Sequence, residues 1–388
     1  MKLLHVIGTL DPKYGGPVEG LTHLSSALFD LGNQVEIVTL GEAKTISLHN
    51  KGIVIHALGP SIGKYRYNTR LIPWLINNTK RFDVVICHGI WQYQSLAIWL
   101  ASKFVKFQYF VIIHGALDPW FRYAYPLKHI KKWLYWPWAE YNVLKSAKAV
   151  FYTSEEEKLL APKSFWLFKA NGVVINYGIG VPEGDSKQQR KAFFEAYPTL
   201  QGKHILLFLS RIHPKKGCDI LIEAFARIAK QDSELHLVMA GPDQEGWQSI
   251  LMQRAFQLGC DRRVTWTGML NGDLKWGAFH AADVFILPSH SENFGVVVVE
   301  SLACSLPVLI TDKINIWREV INDGAGFVDL DTIDGTIQLL QKWLLMTHEE
   351  RQKMRKNAQN CFMNRYEIKM TAGKFIEKIR QITDDDSR

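Results

Sequence analysis

The chain alternates short runs of apolar, β-branched residues with amphipathic stretches such as 18–31, 217–230 and 272–281, and this alternation starts twice. The runs that predict strands are 3–8, 34–40, 53–58, 83–89, 109–115, 149–154, 173–178, 204–210, 235–241, 264–268, 283–289, 307–312 and 326–330. Because a strand that is apolar along its whole length is buried on both faces, the pattern predicts parallel sheets covered by helices on both sides. The expected fold class is α/β, with two doubly wound domains that face a central cleft.

Segment 181–203 is rich in Gly, Pro and charged residues and separates the two series of strands. We therefore expect a first domain over 1–180, a linker and lead-in over 181–203, and a second domain over 204–365. A last helical stretch is followed by no strand, so 366–388 is predicted to be a C-terminal helix that could pack back on the first domain. In such sheets, ligands bind outside the carboxyl ends of the strands.

The positive charge of the chain lies entirely in its first half. Residues 1–180 hold 20 Lys and Arg and 11 Asp and Glu, a net charge of +9, whereas the remainder has a net charge of −1. This asymmetry favours an anionic partner such as a phosphate lipid, a nucleotide or a nucleic acid, although a basic surface without a partner stays an alternative.

The targeting and redox signals are weak. The apolar stretch at the start of the chain ends at Asp11 and Pro12, so we interpret it as a first strand and not as a signal peptide. No run approaches the ~18 apolar residues of a membrane span. The five cysteines are scattered and lack a CxxC pair, which is typical of reduced thiols in a cytoplasmic protein.

Two glutamates flank an apolar segment that follows a predicted strand. Glu292 lies in the loop after strand 283–289, and Glu300 lies in a predicted helix that begins after Gly295. The N–H groups at the start of a helix attract anions, whereas carboxylates accept hydrogen bonds from hydroxyl groups. The pair therefore fits a ligand with phosphate in the middle and polyols on either side, which describes a nucleotide sugar. Two solvated surface glutamates are the alternative.

Two further loops follow predicted strands. Arg211 and Lys216 come after strand 204–210, and two fixed cations beside a helix start suit a diphosphate leaving group. A basic surface loop without a ligand is the alternative. In the first half, Gly15 and Gly16 precede a predicted helix but lack the GxGxxG spacing of a nicotinamide fingerprint.

In these motifs the sequence resembles the retaining glycosyltransferases of family 4, which have the GT-B fold of two Rossmann-like domains. The resemblance covers nearly the whole chain in the right order, and the HGALDPWF region is similar to bacterial members that build surface polysaccharides. The motifs that carry it are GGP at 15–17, HGALDPW at 114–120, SRIHPKKG at 210–217, AGPD at 240–243, and the pair Glu292 and Glu300.

The resemblance implies roles for the matching residues. Glu292 would hold hydroxyls of the donor sugar, and Glu300 would bind the ribose hydroxyls. Arg211 and Lys216 would neutralise the departing diphosphate, and His114 would face the anomeric centre. The other residues implied to bind the donor are Gly15, Gly16, Gly241, Met269, Leu270, Asn293, Phe294, Gly295 and Val296, with a segment after strand 264–268 cradling the base.

Two histidines compete for the role implied for His114. His88 also follows an apolar strand and precedes a glycine, so it is a candidate for lining the acceptor pocket. Asp118 is a further acceptor-side candidate, but it could simply cap the segment that begins at Pro119. Many relatives carry Pro-Asn-Gly before the second domain, where this chain has Asn176, Tyr177 and Gly178, and this departure puts local contacts in doubt.

We expect catalysis without a metal ion or other cofactor. The Asp-rich stretches 329–331 and 384–386 are interpreted as solvated, and cations with a helix start can replace a metal on the diphosphate. A double displacement would need a carboxylate nucleophile, and none is evident. A front-face reaction, in which the acceptor attacks from the side of the leaving group, is therefore preferred, and retention itself is an implication of the resemblance.

Residues 120–148 interleave aromatic and basic side chains, as in helices that lie on anionic membranes. We hypothesise that this segment brings the protein to a lipid-linked acceptor at the inner face of the cytoplasmic membrane, with a core-packed helix as the alternative. The candidate membrane contacts are Arg122, Lys128, Lys131, Lys132, Trp133 and Trp136.

Three rival functions stay open at this level. A nucleic-acid-binding protein would explain the basic half but not the two glutamates with their cations. A nucleotide-sugar epimerase on the same fold would use the donor without an acceptor. A glycosyltransferase with a soluble saccharide acceptor would need no membrane contact. The sequence leaves the donor sugar open, and the base open between uridine and guanosine.

Overall fold

The structure, a computed structural model, describes residues 1–41 and 52–384; the second and third residues of the Asp-rich stretch 384–386 lie outside this range. Its strands are β1 Lys2–Ile7, β2 Gln34–Thr39, β3 Val54–Ala57, β4 Val84–His88, β5 Tyr109–Ile112, β6 Val150–Tyr152, β7 Gly172–Val174, β8 His204–Leu209, β9 Leu235–Ala240, β10 Val264–Gly268, β11 Val284–Leu287, β12 Val308–Thr311 and β13 Gly326–Asp329. The strands coincide with the predicted ones to within a few residues at each end.

The α-helices of the described residues lie between these strands and after them. They are α1 Gly16–Asp30, α2 Leu71–Asn78, α3 Tyr93–Phe104, α4 Trp120–Ala124, α5 Pro126–Tyr135, α6 Glu140–Ser146, α7 Glu155–Leu160, α8 Ser186–Ala196, α9 Cys218–Ile228, α10 Trp247–Gln257, α11 Gly272–Ala281, α12 Val296–Ala303, α13 Trp317–Asn322, α14 Ile333–Leu344, α15 His348–Arg365 and α16 Ile368–Asp384.

The chain divides into two compact units. The first, hereafter the N-unit, holds 1–180 and the C-terminal segment from Tyr366, and the second, the C-unit, holds 181–365. Each contains one parallel sheet. The strand order is β3-β2-β1-β4-β5-β6-β7 in the N-unit and β10-β9-β8-β11-β12-β13 in the C-unit. The predicted fold class, α/β with two Rossmann-like domains, is confirmed.

Successive residues of the N-unit strands enter cores on opposite faces of the sheet. Leu3 packs in one core and Leu4 in the other, and Val84 and Val85 divide in the same way. Because side chains alternate with a period of two along a strand, a continuous apolar run is what a sheet covered on both faces requires. The same rule places His5 on the face of Leu3, the face that α1 covers.

Two segments at the predicted boundaries differ from a simple linker and tail. Segment 181–203, predicted as a linker, lies within the C-unit, where α8 packs closely against α11. Gly277 makes this approach possible, because a Cβ there would overlap the carbonyl of Gln189. The C-terminal helix α16 packs on α1, and its Phe375 joins the N-unit core.

Candidate functional site

In the C-unit sheet, β8 and β11 are neighbours. The strands that follow β8 in the chain lie on one side of this pair, and those that follow β11 lie on the other, so the strand order changes direction here. Such a switch point opens a crevice at the carboxyl ends of the two strands, and this is where doubly wound sheets bind ligands. The loop after β8 carries Arg211 and Lys216, and the loop after β11 carries Glu292. The structure therefore brings three predicted site residues to one edge of one sheet.

Lys216 and Glu292 form an ion pair across this switch point, through Nζ and Oε1. Both side chains are largely buried, with 10% and 18% of their surfaces exposed. A buried charge without a partner is costly, so each of the two residues stabilises the other in its charged form. The sequence predicted both residues but not their contact.

Hydrogen bonds on both sides fix the loop that carries Glu292. The backbone N–H of Glu292 donates to the carbonyl of Lys313 over 2.9 Å, and its carbonyl accepts from the N–H of Asn315. On the other side, the N–H of His290 and the hydroxyl of Ser289 both donate to the carbonyl of Lys215. The carboxylate is thus held between the loops that follow β8 and β12.

The electrostatics at the end of β8 favour an anion. Burial, followed by the charges of Lys215 and Arg211, lowers the pKa of Lys216. The Glu292 carboxylate opposes this effect, because an opposite charge in contact favours the ammonium form. Arg211 is exposed at the same edge, so a guanidinium and an ammonium are both available there to a phosphate group.

Glycines let the loops at this edge approach one another. A Cβ at Gly217 would overlap the carbonyl of Pro288, and a Cβ at Gly241 would overlap the carbonyl of Ser210. Gly241 also has a φ of +144°, which a side chain disfavours, and its N–H donates to the carbonyl of Gly268 over 2.8 Å. Of the two residues that follow Gly268, Met269 is exposed and Leu270 is buried.

Helix α12 begins where the sequence predicts, directly after Gly295, which adopts the left-handed conformation with a φ of +71°. Phe294 is buried, while Asn293 and Val296 are half-buried. The Oδ1 atom of Asn293 accepts a long hydrogen bond of 3.4 Å from the Asn315 side chain. These residues therefore shape the start of the helix at the switch point.

Glu300, on α12, is 8% exposed and accepts a hydrogen bond of 2.6 Å from the ammonium of Lys275, on α11. Sequence reasoning missed Lys275. Lys275 and Glu300 lie 25 positions apart, so their spacing in the sequence does not indicate a contact. The only sequence signal for Lys275 is its place on the helix that follows Met269 and Leu270. A second lysine–glutamate pair therefore joins α11 to α12.

The candidate residues of the N-unit gather near its own switch point, between β1 and β4. His5, on β1, contacts His88, at the end of β4, and His88 contacts His114, which follows β5. The ring nitrogens are 2.8 Å and 3.1 Å apart. His114 is half-buried and has a φ of +50°, a strained value for a residue other than glycine.

His88 is 2% exposed, and both of its ring nitrogens contact other histidines. It borders a cavity of about 30 Å³ beneath α1, too small for a saccharide. We predicted that His88 lines an acceptor pocket, and its buried position does not fit direct contact with an acceptor. Asp118 is half-buried and accepts a 2.8 Å hydrogen bond from the N–H of Trp120, which helps to start α4.

Tyr177, which interrupts the Pro-Asn-Gly pattern, makes two contacts within the N-unit. Its hydroxyl donates to the carbonyl of Gly16 over 2.6 Å, and its ring packs edge-on against His114. A Cβ at Gly20 would overlap this hydroxyl. Tyr177 therefore ties the loop of Gly15 and Gly16 to the histidine cluster.

Helices α4 and α5 expose an apolar and basic surface of the N-unit. Arg122, Lys128, Lys131 and Trp133 are exposed, and their contact with a membrane stays a prediction. Exposed apolar residues that we did not predict here are Tyr123, Leu127, Ile130, Leu134, Trp138 and Trp166.

Two of the predicted membrane contacts occupy other positions. Trp136 is 1% exposed, donates from Nε1 to the carbonyl of Leu167 and stacks on Phe165. The prediction is wrong for Trp136, because α5 ends at the preceding residue and the chain turns inward there. Lys132 is half-buried over the rings of Trp91 and Phe121, and burial lowers its pKa to about 8.

Comparison with known families identifies the chain. Residues 189–361 match the family Glycosyl transferases group 1, and residues 15–178 match the Glycosyl transferase 4-like domain. The chain belongs to the group 1 glycosyl transferases. The D-inositol 3-phosphate glycosyltransferase of Thermomonospora curvata is 36% identical over 138 residues, which cover 34% of this chain and 32% of that protein. This glycosyl transferase thus spans about a third of the length of the curated relatives it matches.

Solved structures support the same fold for this glycosyl transferase. A glycosyltransferase from Rickettsia africae superposes with a TM-score of 0.78 at 17% identity and covers 98% of each chain. Anabaena Alr3699/HepE in complex with UDP superposes with a TM-score of 0.77 at 18% identity, covering 98% of this chain and 100% of that one. The predicted GT-B fold is therefore confirmed, and the two family matches confirm the resemblance to family 4.

Within residues 1–41 and 52–384, no three His, Cys, Asp or Glu side chains come together in a group that could hold a metal ion. No helix in the same ranges is both long and apolar enough to cross a membrane.

Proposed function

We propose that this glycosyl transferase moves a sugar from a nucleotide diphosphate donor to an acceptor hydroxyl, with retention of configuration. The observation that carries the proposal is the Lys216–Glu292 ion pair at the switch point of the C-unit. An ammonium group has three donors, so Lys216 can hold a phosphate oxygen while it keeps Glu292 in place. The carboxylate can then accept hydrogen bonds from the donor sugar.

The charges of the C-unit suit the departure of a nucleotide diphosphate. Arg211 and Lys216 lie after β8, and α12 begins after Gly295, so cations and a helix start can stabilise negative charge on the leaving group. We propose that these groups stabilise the negative charge of the diphosphate in place of a metal ion. Three structures of Anabaena Alr3699/HepE hold UDP, UDP-glucose, or UDP and glucose. They support a uridine donor for this chain by analogy of fold alone.

The reaction step that we propose is a front-face displacement. The bond between the anomeric carbon and the phosphate oxygen breaks, and the acceptor oxygen forms a new bond from the same side. The acceptor proton passes to the departing phosphate oxygen, and the nucleotide diphosphate leaves. Retention can be tested by proton NMR of the sugar released when water replaces the acceptor.

The donor site is tested by calorimetry with UDP, GDP and ADP in the presence of EDTA, on the wild type and on Glu300→Ala. We expect one nucleotide to bind without a metal and to bind far more weakly to the variant. Glu195→Ala, which removes an exposed glutamate of α8, is the matched control. Failure of all three nucleotides to bind the wild type would refute the donor proposal.

We propose further that the acceptor is attached to a lipid, because α4, α5 and the turn at 161–166 form one apolar and basic surface. A groove of about 720 Å³ in this surface is lined by apolar side chains that include Ile130, Trp133 and Trp166. Segments 119–139 and 158–171 contain no Asp or Glu, so the groove is bordered by positive charge alone. Apolar and cationic side chains together match the interface of an anionic membrane.

Sedimentation with vesicles tests this second proposal. We expect the protein to sediment with vesicles that contain phosphatidylglycerol at low salt, less at high salt, and little with phosphatidylcholine alone. Failure to sediment with either lipid, even at low salt, would contradict it and favour a soluble acceptor. The relatives named for inositol phosphate make that the main alternative.

A further inference from the structure

His5, His88 and His114 form a continuous chain of hydrogen bonds from the core of the N-unit towards its surface. His5 is fully buried, His88 is 2% exposed, and His114 is half-buried. The contacts join Nδ1 of His5 to Nε2 of His88, and Nδ1 of His88 to Nε2 of His114. Only the outermost ring is therefore within reach of a ligand.

All three rings are neutral near pH 7. Burial lowers the pKa of His5 to about 3 and that of His114 to about 4. Burial also lowers the pKa of His88 well below its usual value, and the two neighbouring histidines lower it further. A neutral imidazole has one N–H group and one acceptor nitrogen, so its tautomer decides what it can bind.

Just two arrangements of protons satisfy both hydrogen bonds. In the outward arrangement, Nδ1–H of His5 donates to His88, Nδ1–H of His88 donates to His114, and His114 keeps its own proton on Nδ1. In the inward arrangement every donor is reversed, and the last N–H group is Nε2–H of His5. That atom is buried and has no hydrogen-bond partner among the described residues.

The outward arrangement costs less free energy. It leaves an acceptor of His5 unpaired, whereas the inward arrangement would leave a buried N–H donor unpaired, which is rarer in proteins. We propose that His5 and His88 are positioning residues that hold His114 as its Nδ1–H tautomer, so that His114 presents a fixed hydrogen-bond donor to the sugar substrate. The role of this donor rests on the proposed glycosyl transfer, whereas the tautomer itself does not.

The backbone supports the same orientation of His114. Its left-handed conformation is held by the buried Glu157, whose Oε1 accepts a hydrogen bond of 2.5 Å from the N–H of Gly115. Oε2 of Glu157 accepts from the N–H and the hydroxyl of Thr153. Both the ring and the backbone of His114 are thus fixed from within the N-unit.

NMR of protein labelled with ¹⁵N in the histidine rings tests the tautomer without any substrate. The His114 signals are those that disappear in His114→Gln. In the wild type we expect a protonated Nδ1 and an unprotonated Nε2. A protonated Nε2, or an equal mixture of the two tautomers, would overturn the proposal whatever the fate of the proposed activity.

Two substitutions of His5 then separate positioning from packing. His5→Asn keeps an N–H donor near the place of Nδ1, whereas His5→Leu removes it at similar size. We expect the Asn variant to retain the His114 tautomer and the Leu variant to lose it. With sugar transfer as the readout, kcat should fall about tenfold in His5→Leu, the value of one hydrogen bond, with little change in KM.

Substitution of a half-buried histidine outside this cluster provides the control. His23 lies on α1 and forms an ion pair with Glu19, so His23→Leu should leave both the tautomer and kcat unchanged. An unaltered His114 spectrum in a folded His5→Leu protein would contradict the proposal that His5 and His88 hold the tautomer of His114. If that variant does not fold, the wild-type and His5→Asn spectra still decide the question.

Discussion

The two sheets have the same kind of switch point, but the side chains that flank it differ in charge. Between β8 and β11 the C-unit holds the ion pair of Lys216 and Glu292. Between β1 and β4 the N-unit holds the neutral pair of His5 and His88. The topology thus fixes where a ligand can bind, and the side chains fix which kind of ligand it is.

The difference matches the two halves of the proposed reaction. A diphosphate carries charge, so a site with cations and a helix start binds it strongly. Sugar hydroxyls are neutral, and a neutral donor such as His114 can bind them without placing another charge in a buried site. We therefore expect each unit to need its own pattern of charge.

The largest effect is expected from Lys216→Met. The substitution leaves the Glu292 carboxylate largely buried without its cation, which should lower the free energy of unfolding by about 4 kcal/mol. It also removes a cation from the leaving group, so kcat should fall by about two to three orders of magnitude. Chemical denaturation and steady-state kinetics measure the two effects separately.

A double variant distinguishes charge from packing. Lys216→Met combined with Glu292→Gln removes both charges, so most of the lost stability should return while the activity stays low. If the double variant is no more stable than the single one, then the buried charge is not the cause of the loss.

The second prediction concerns Glu140, a fully buried carboxyl of the N-unit. Its Oε1 accepts from the N–H of Trp91 and the hydroxyl of Ser95, and burial raises its pKa from 4.5 to about 7. The folded state therefore retains a proton that the unfolded state releases between pH 4.5 and 7. Stability from this group is present below pH 4.5 and is lost as the pH rises towards 7.

Comparison with Glu140→Gln isolates this contribution. Relative to the variant, the wild type should lose roughly 3 kcal/mol of unfolding free energy from pH 4.5 to above pH 7. Urea denaturation across this range measures it. A difference between the two proteins that stays constant with pH would show that Glu140 is ionised in the folded state throughout, and that the N-unit does not keep this group neutral.

The sequence predicted where the candidate site residues lie better than it predicted what they contact. Strand positions follow from apolar runs, and Lys216 and Glu292 follow from their places after strands. The His5–His88 contact joins residues 83 positions apart. It depends on β1 and β4 being neighbours, and strand order is not visible in a hydrophobic pattern. In retrospect, His5 had one signal, a polar residue in a continuous apolar run.

Exposure was also difficult to predict for the aromatic segment. Trp133 and Trp136 have the same composition around them, yet one is exposed and the other is buried. The end of α5 at Tyr135 decides this, because Trp136 then turns into the core beside Phe165. Composition indicated an aromatic and basic surface, but only the packing shows which of these side chains are exposed.

The third prediction tests the residue that sequence analysis missed. Lys275 holds Glu300 at 2.6 Å, so Lys275→Met should let that carboxylate rotate and weaken nucleotide binding by about 2 kcal/mol. Calorimetric titration of the nucleotide measures the change, and Lys191→Met, at an exposed position on α8, is the control. Unchanged affinity would mean that Glu300 needs no orienting partner.

The smallest effect per residue is expected on the surface of α5. Lys128→Ser with Lys131→Ser removes two exposed charges, and each should weaken binding to anionic vesicles by about 1 kcal/mol at low salt. Lys353→Ser with Lys356→Ser removes the same charge from α15 in the C-unit and is the matched control. Equal losses for the two pairs would show that net charge, and not this surface, attracts the membrane. A loss confined to the α5 pair would mean that the N-unit combines a neutral switch point with a cationic surface that binds the membrane. The charged groups at the switch point of the C-unit would then be the ones that bind the donor.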